Sequence, residues 1–400
     1  MSKKEKYILM YKDYEVLSFS IELGKINKLD VTEKLERFDL APYGMNNDTP
    51  QEELNRVLFR FFNSRTIPPT RWDYEDILKA TNCKNSLELS FKSHGLSLSN
   101  HYWFKKKDEK LKYDDINFFT NKWDDSFARA VLSRNYDALK NADLNVPDIV
   151  TPGWGVKGWL CEEEPTLYKL GIHKDHPDEC LAEVLASNLA RRMFKEGEVL
   201  HYELKTIYGQ YASVSKVMIA IDEEIVQLSR ILPPELYALY RTIHNEKKNM
   251  KVFFDRLKES GFPDLYEFFV KIMCLRTLSF VSDLHFDNLS MIRNLRTGEL
   301  RAAPIFDLGG AFGSSKTGHD FLSKLSTGSY IIIYFLFGDI DPSWDFSWYD
   351  PTRLVGFEDE IRETLSKSEF YDETLINNII EVYKRQKASL DEAKEKQNNK

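Results

Sequence analysis

"SFVSDLHFDNLSMIR", residues 279–293, crowds two aspartates, a histidine and an asparagine into six positions between apolar flanks, and its reading decides that of the whole chain. Upstream, "FPDLYEFFVKIMCLRTLSFV" (262–281) sets Leu265, Phe268, Phe269, Ile272 and Leu275 at helical spacing. Downstream, "LSMIRNLRTGELRAAPIFDLGGAFG" (289–313) predicts a strand, a Thr297-Gly298 turn, a second strand, then an acid and glycines. The polar cluster therefore falls in a connection between a helix and a hairpin. Asp283, His285, Asp287 and Asn288 suit metal ligation, a catalytic base with its helpers, or a polar turn between buried elements.

The chain has 400 residues, beyond the size at which one hydrophobic core keeps growing, so two or three packed units are expected. Hydrophobic residues at 42% and aromatics at 13% are ample for cores, which confines expected disorder to the ends. The balance of 55 basic against 63 acidic groups, net -8, argues against a dedicated nucleic-acid or anionic-membrane surface. Charges break the first apolar run, "MSKKEKYILMYKDYEV", too early for a signal peptide. The longest apolar run, "YIIIYFLF" (330–337), is too short to span a bilayer and is expected in a core. Four scattered cysteines with no CxxC pair indicate neither a zinc ribbon nor a disulfide scaffold, and fit ordinary thiols in a reducing cytoplasm.

The first 140 or so residues mix strand-like runs ("KYILMY", "YEVLSFSI") with helical pattern, as in "TPQEELNRVLFRFFNSR", where Leu54, Leu58, Phe61 and Phe62 share a face. "FKKKDEKLKYDD" and "SRNYDALKNADLNVPDIV" read as surface connection and set a boundary near residue 140. Residues 141–228 then read as a small β-rich region with one helix, "HPDECLAEVLASNLARRMF", whose Leu181, Val184, Leu185, Leu189 and Met193 form a stripe. Within it, "LHYELKTIYGQYASVSKVMIAIDEEIVQLSRIL" alternates like antiparallel strands. Residues 229–400 read as a larger helical region ending in a polar, fraying helical tail, "RQKASLDEAKEKQNNK". The expected class is α+β.

Phosphoryl transfer needs backbone N–H groups over the phosphates, a lysine on a strand, an acid on a helix to hold it, a base for the attacking hydroxyl, and Mg2+ ligands. All five occur here in that order. "GWGVKG" is G-x-G-x-x-G, with Gly153, Gly155 and Gly158 letting a hairpin turn approach a nucleotide. Lys169 follows Gly158 by eleven residues, a separation suited to crossing a turn and running back along the neighbouring strand. Glu183, or Glu179 one turn earlier, could hold its ammonium. Asp283 and Asn288 have D-x-x-x-x-N spacing, in which the aspartate orients or deprotonates a hydroxyl and the asparagine binds metal. Nineteen residues on, Asp307 opens "DLGG" where a second Mg2+ ligand is wanted. His285 suits a loop-shaping hydrogen bond or proton transfer; no matching His or Cys cluster supports zinc. Ser314, Ser315 and Thr317 offer a regulatory phosphate site or, more simply, a solvated polar loop.

These residues resemble the HipA-like serine/threonine kinase family of bacteria, including clostridial stand-alone relatives. The likeness runs through "LYK", "AEVLASNLARR", "SDLHFDN" and "APIFDLGGAF", and reaches the N-terminal "RTIPPTR" and "HGLSLSNHYWFK". The resemblance implies a two-lobed kinase fold with an added N-terminal unit, ATP and Mg2+, a protein serine or threonine as acceptor, and an antitoxin-like or regulatory partner. It also implies that Lys169 contacts ATP, Asp283 is the catalytic aspartate, and Asn288 and Asp307 bind metal. Leu284 replaces the family's usual arginine and Val281 its usual asparagine. "SDLHFDN" also resembles the H-G-D-L-H-x-x-N loop of aminoglycoside and choline phosphotransferases, without its first histidine. A nucleotide-binding pseudokinase scaffold is the non-enzyme alternative.

Overall fold

The first sheet is built on buried central strands, with alternation at one outer strand only. Strand β1 (Lys4–Tyr11) is buried from Tyr7 onward and lies between β2 (Tyr14–Glu22) and β4 (Tyr102–Lys106), with β3 (Lys28–Lys34) outside β2. All three pairings are antiparallel. Helix α1 (Gln51–Asn63) turns Leu54, Leu58, Phe61 and Phe62 onto this sheet, where Phe62 meets Phe19 and Phe104 at ring-centroid distances of 5.2 and 5.3 Å. The structure is a computed structural model that describes residues 4–22, 28–171, 178–242, 247–259, 261–281, 288–315, 318–319, 322 and 340–399.

Helices α2 (Tyr74–Thr81), α3 (Ser86–Lys92), α4 (Tyr113–Ile116) and α5 (Ser126–Leu132) follow, then the antiparallel hairpin of β5 (Lys157–Cys161) and β6 (Pro165–Lys169). Gly158 lies inside β5, where a Cβ would sit 2.9 Å from Ala128 Cβ and 3.1 Å from Ala128 Cα on α5. Its missing side chain lets strand and helix approach closely.

The chain divides into two compact units: Met1–Ile172 with Ile219–Glu224 and Asn294–Arg296, and His173–Met218 with Ile225–Arg293 and Thr297–Lys400. This partition differs from boundaries at 140 and 228. The stretch expected as surface connection is instead packed: Tyr113, Leu139, Val146, Ile149 and Val150 are buried, and so is Asp148. These residues complete the environment of β5, which therefore joins the first unit.

In the second unit, α6 (Glu179–Met193) buries the expected stripe and more, since Ala182, Ala186 and Ala190 are also enclosed. The hairpin of β7 (Glu203–Ile207) and β8 (Gln210–Lys216) follows, then strand β9 (Glu223–Gln227), whose first two residues fall in the first unit. Helices α7 (Leu228–Ile231), α8 (Pro234–Thr242), α9 (Lys247–Glu259) and α10 (Pro263–Ser279) come next. α10 is buried well beyond its predicted face, with Val270, Met273, Cys274 and Leu278 enclosed as well, as befits a helix at the centre of a core. Strands β10 (Ser290–Asn294) and β11 (Leu300–Ala302) form the expected hairpin, with Gly298 in the left-handed region at φ 77°. Helices α11 (Phe357–Leu365) and α12 (Glu373–Asn398) close the unit.

The C-terminal stretch differs from a fraying tail. Leu390 and Ala393 are buried, Lys394 Nζ donates to Phe346 O at 2.7 Å, and Gln397 Oε1 accepts from Phe346 N at 2.9 Å. Of the cysteines, Cys180 and Cys274 are buried and Cys83 and Cys161 half-buried, all as free thiols. Among the described residues no helix is long and apolar enough to cross a membrane. The run at 330–337 lies outside the described residues.

Candidate functional site

In the first unit the glycine-rich bend and Lys169 come together, although the glycines do not form the expected hairpin turn. Gly153 and Gly155 precede β5, and the β5–β6 turn is made by Glu162, Glu163 and Glu164. The hairpin returns Lys169 to a position directly across from Lys157. A Cβ on Gly155 would stand 3.5 Å from Leu170 O and 3.7 Å from Lys169 Cε, so the lysine stem lies against the bend. Gly153 has φ 108°, and a Cβ there would strike the Lys157 ammonium, which itself donates to Pro152 O at 2.8 Å. Both lysines are 8% exposed. Gly158, grouped with this bend by the motif, instead packs on α5.

The edge of β5 away from β6 is closed by side chains. Leu170 N donates to Val156 O at 2.8 Å, which makes Lys157–Lys169 the next, non-hydrogen-bonded pair, with the Lys157 carbonyl facing outward. Arg71 Nη2 donates to that carbonyl at 3.2 Å, and Asp148 Oδ1 accepts from the outward Trp159 N–H at 2.9 Å. Burial pushes the Asp148 carboxyl up to about 7 against the opposing pull of the Trp159 N–H and the Arg71 guanidinium.

In the second unit α6 organises the segment carrying Asp307. Ser187 Oγ donates to Leu200 O at 2.9 Å and accepts from Tyr202 N at 3.2 Å, which fastens the 200–202 segment to the helix. That segment pairs with the chain before Asp307: Leu200 N donates to Ile305 O and Ile305 N to Glu198 O, both at 2.9 Å. The Tyr202 hydroxyl then accepts from Asp307 N at 3.1 Å. At the start of α6, Glu179 Oε1 accepts from Gly310 N at 2.9 Å. Glu179 is thus engaged by the "DLGG" segment, while Glu183, also buried, accepts from Ser213 Oγ.

Asp307 adopts a left-handed backbone, φ 57°, as do Phe280 at the end of α10, φ 57°, and Phe312, φ 46°. Phe312 N donates to Ser279 O at 2.7 Å, and the Phe280 and Phe312 rings meet edge to face at 5.9 Å. Such conformations cost free energy and persist where surrounding structure enforces them, commonly at functional sites. The chain leaves α10 toward residues 282–287 through one of these strained positions.

Asn288 lies two residues before the start of β10, and Asp307 lies five residues after the end of β11. Met291 pairs with Ala302, and Ala303 N still donates to Ser290 O at 2.9 Å, after which Ile305 pairs instead with Val199. Both Asn288 and Asp307 are half-buried. An amide oxygen and a carboxylate are hard donors that suit Mg2+. Asp283, His285 and Thr317 lie outside the described residues. Ser314 is buried rather than solvated, and Ser315 Oγ accepts from Gly318 N at 3.1 Å.

Sequence reasoning missed Tyr202, Ser187, Arg71 and Asp148, each of which acts on backbone outside its own element. No protein-family model matches the chain, and no curated protein sequence matches it. Among solved structures it is similar to the Helicobacter pylori proinflammatory kinase CtkA, at 17% identity over 59% of this chain and 92% of that one, with a TM-score of 0.35. It is also similar to a chain from the Shewanella oneidensis MR-1 toxin–antitoxin complex of HipA, HipB and operator DNA, at 12% identity over 97% of this chain and 98% of that one, with a TM-score of 0.46.

Proposed function

We propose that this chain is a two-lobed, HipA-like kinase that transfers phosphate from ATP, with Mg2+, to a serine or threonine of a protein in the cytoplasm. The observation that carries the reading is Asp307 itself, set after the β10–β11 hairpin with a left-handed backbone tied to Tyr202. Lys169, on a strand end with its stem against Gly155, supplies the ammonium expected to bind phosphate oxygens. In this reading Glu183 orients that ammonium. Asp283, which lies outside the described residues, is the residue that would position the acceptor hydroxyl in line and take its proton. His285 holds the shape of that loop. Asn288 and Asp307 would hold Mg2+, which when bound offsets charge on the phosphoryl oxygens. An antitoxin-like or regulatory partner belongs to the same proposal.

The test is transfer of labelled phosphate from ATP, run in parallel onto a bacterial lysate and onto aminoglycosides and choline. Label on protein serine or threonine, lost in Asp283→Asn, supports the proposal. Label on small alcohols alone assigns the chain to the small-molecule phosphotransferases. Tight ATP binding with no transfer to either identifies a pseudokinase scaffold.

A further inference from the structure

We infer that Arg71, locked by Asp73, is a positioning residue that fixes the outer edge of β5 and through it the place of Lys169. Arg71 and Asp73 form a fully enclosed ion pair, Nε to Oδ1 at 2.7 Å and Nη2 to Oδ2 at 3.3 Å, with side-chain exposures of 1% and 0%. A buried ion pair is weak evidence of a stabilising role, because apolar residues often replace one without loss. Here the same guanidinium has a further task. Its Nη2 reaches the outward carbonyl of Lys157, the register partner of Lys169.

An edge strand has no neighbour to satisfy its outward groups, and β5 obtains partners from two distant places, Arg71 for a carbonyl and Asp148 for an N–H. Gly158 sets how deeply β5 sits on α5, whereas Arg71 acts at the residue facing Lys169. Asp73 keeps the fork in one orientation, since both of its carboxylate oxygens are engaged by Arg71. A residue remote from any phosphate contact thereby controls where the ammonium stands.

This inference rests on the reading of Lys169 as a phosphate contact, so the experiment on the full chain separates the two. Arg71→Leu with Asp73→Leu removes both charges and strands neither, while leaving the Lys157 carbonyl without its donor. Arg71→Lys retains a cation for Asp73 but lacks the fork that also reaches the carbonyl. Both variants should keep the wild-type melting temperature to within a few degrees, exchange the Leu170 amide about tenfold faster, and bind ATP·Mg2+ about tenfold more weakly by calorimetry. Wild-type exchange at Leu170 in either folded variant overturns the inference. If the wild-type chain binds no ATP·Mg2+, the reading of Lys169 falls, and faster or unchanged exchange at Leu170 still decides whether Arg71 positions the hairpin. Should the double variant fail to fold, Arg71→Lys carries the same test.

Discussion

Replacing Asp148 by asparagine should make the chain's stability less dependent on pH, in a window set by where this carboxyl sits. Asp148 is buried, and its pKa rises from the ordinary value of 3.8 to about 7. Because the folded-state value lies above the unfolded one, the folded chain keeps this proton between about pH 4 and 7 while the unfolded chain gives it up. Its contribution is therefore fully present below about pH 4 and is lost as pH rises to about 7. The slope across that window is about 1.4 kcal/mol per pH unit, or about 2 to 3 kcal/mol between pH 5 and 7. The substituted amide does not titrate, and its oxygen can still accept from Trp159 N–H, so the contact that closes β5 survives. Urea unfolding of both proteins at pH 5, 6, 7 and 8 measures the effect, since all other titrating groups cancel in the difference. The Asp148→Asn variant should gain on the wild type by that amount from pH 5 to 7 and little more by pH 8. A difference that stays flat from pH 5 to 7 would refute the assignment of a raised pKa to Asp148.

Gly158→Ala places a methyl 2.9 Å from Ala128 Cβ, an overpacking expected to cost about 1–3 kcal/mol, read as a lower urea midpoint and partly restored by Ala128→Gly. Tyr202→Phe removes the acceptor for Asp307 N–H and should weaken Mg2+-dependent ATP binding by roughly 1 kcal/mol, about fivefold, in calorimetry repeated with and without the metal. Asp283→Asn should cut phosphate transfer on the order of 10²-fold or more while leaving ATP affinity nearly unchanged, measured by single-turnover labelling.

Elements whose signal is local were legible. The stripes of α1, α6 and α10 and the Gly298 turn each depend on residues a few positions apart, and each appears where its period or turn chemistry puts it. The β10–β11 hairpin that separates Asn288 from Asp307 was legible for the same reason. Polar residues with distant partners were not. Asp148 looks like part of a solvated connection until Trp159 N–H and Arg71 enclose it, and the closing tail looks frayed until Phe346 supplies partners for Lys394 and Gln397. Gly158 reads as a loop glycine in the motif, but its reason is Ala128, thirty residues earlier in the chain. Charged and polar side chains announce neither their burial nor the backbone group they will satisfy, so pattern alone assigns them to the surface.

The proposal rests most on two roles, a phosphate contact for Lys169 and a metal contact for Asp307. Calorimetric titration of ATP into the wild-type chain, Lys169→Met and Asp307→Ala, each with and without Mg2+, tests it most directly. The account predicts Mg2+-dependent binding in the wild type, loss of most affinity in Lys169→Met whether or not metal is present, and loss of only the metal-dependent part in Asp307→Ala. Wild-type affinity and metal dependence in both variants would contradict it.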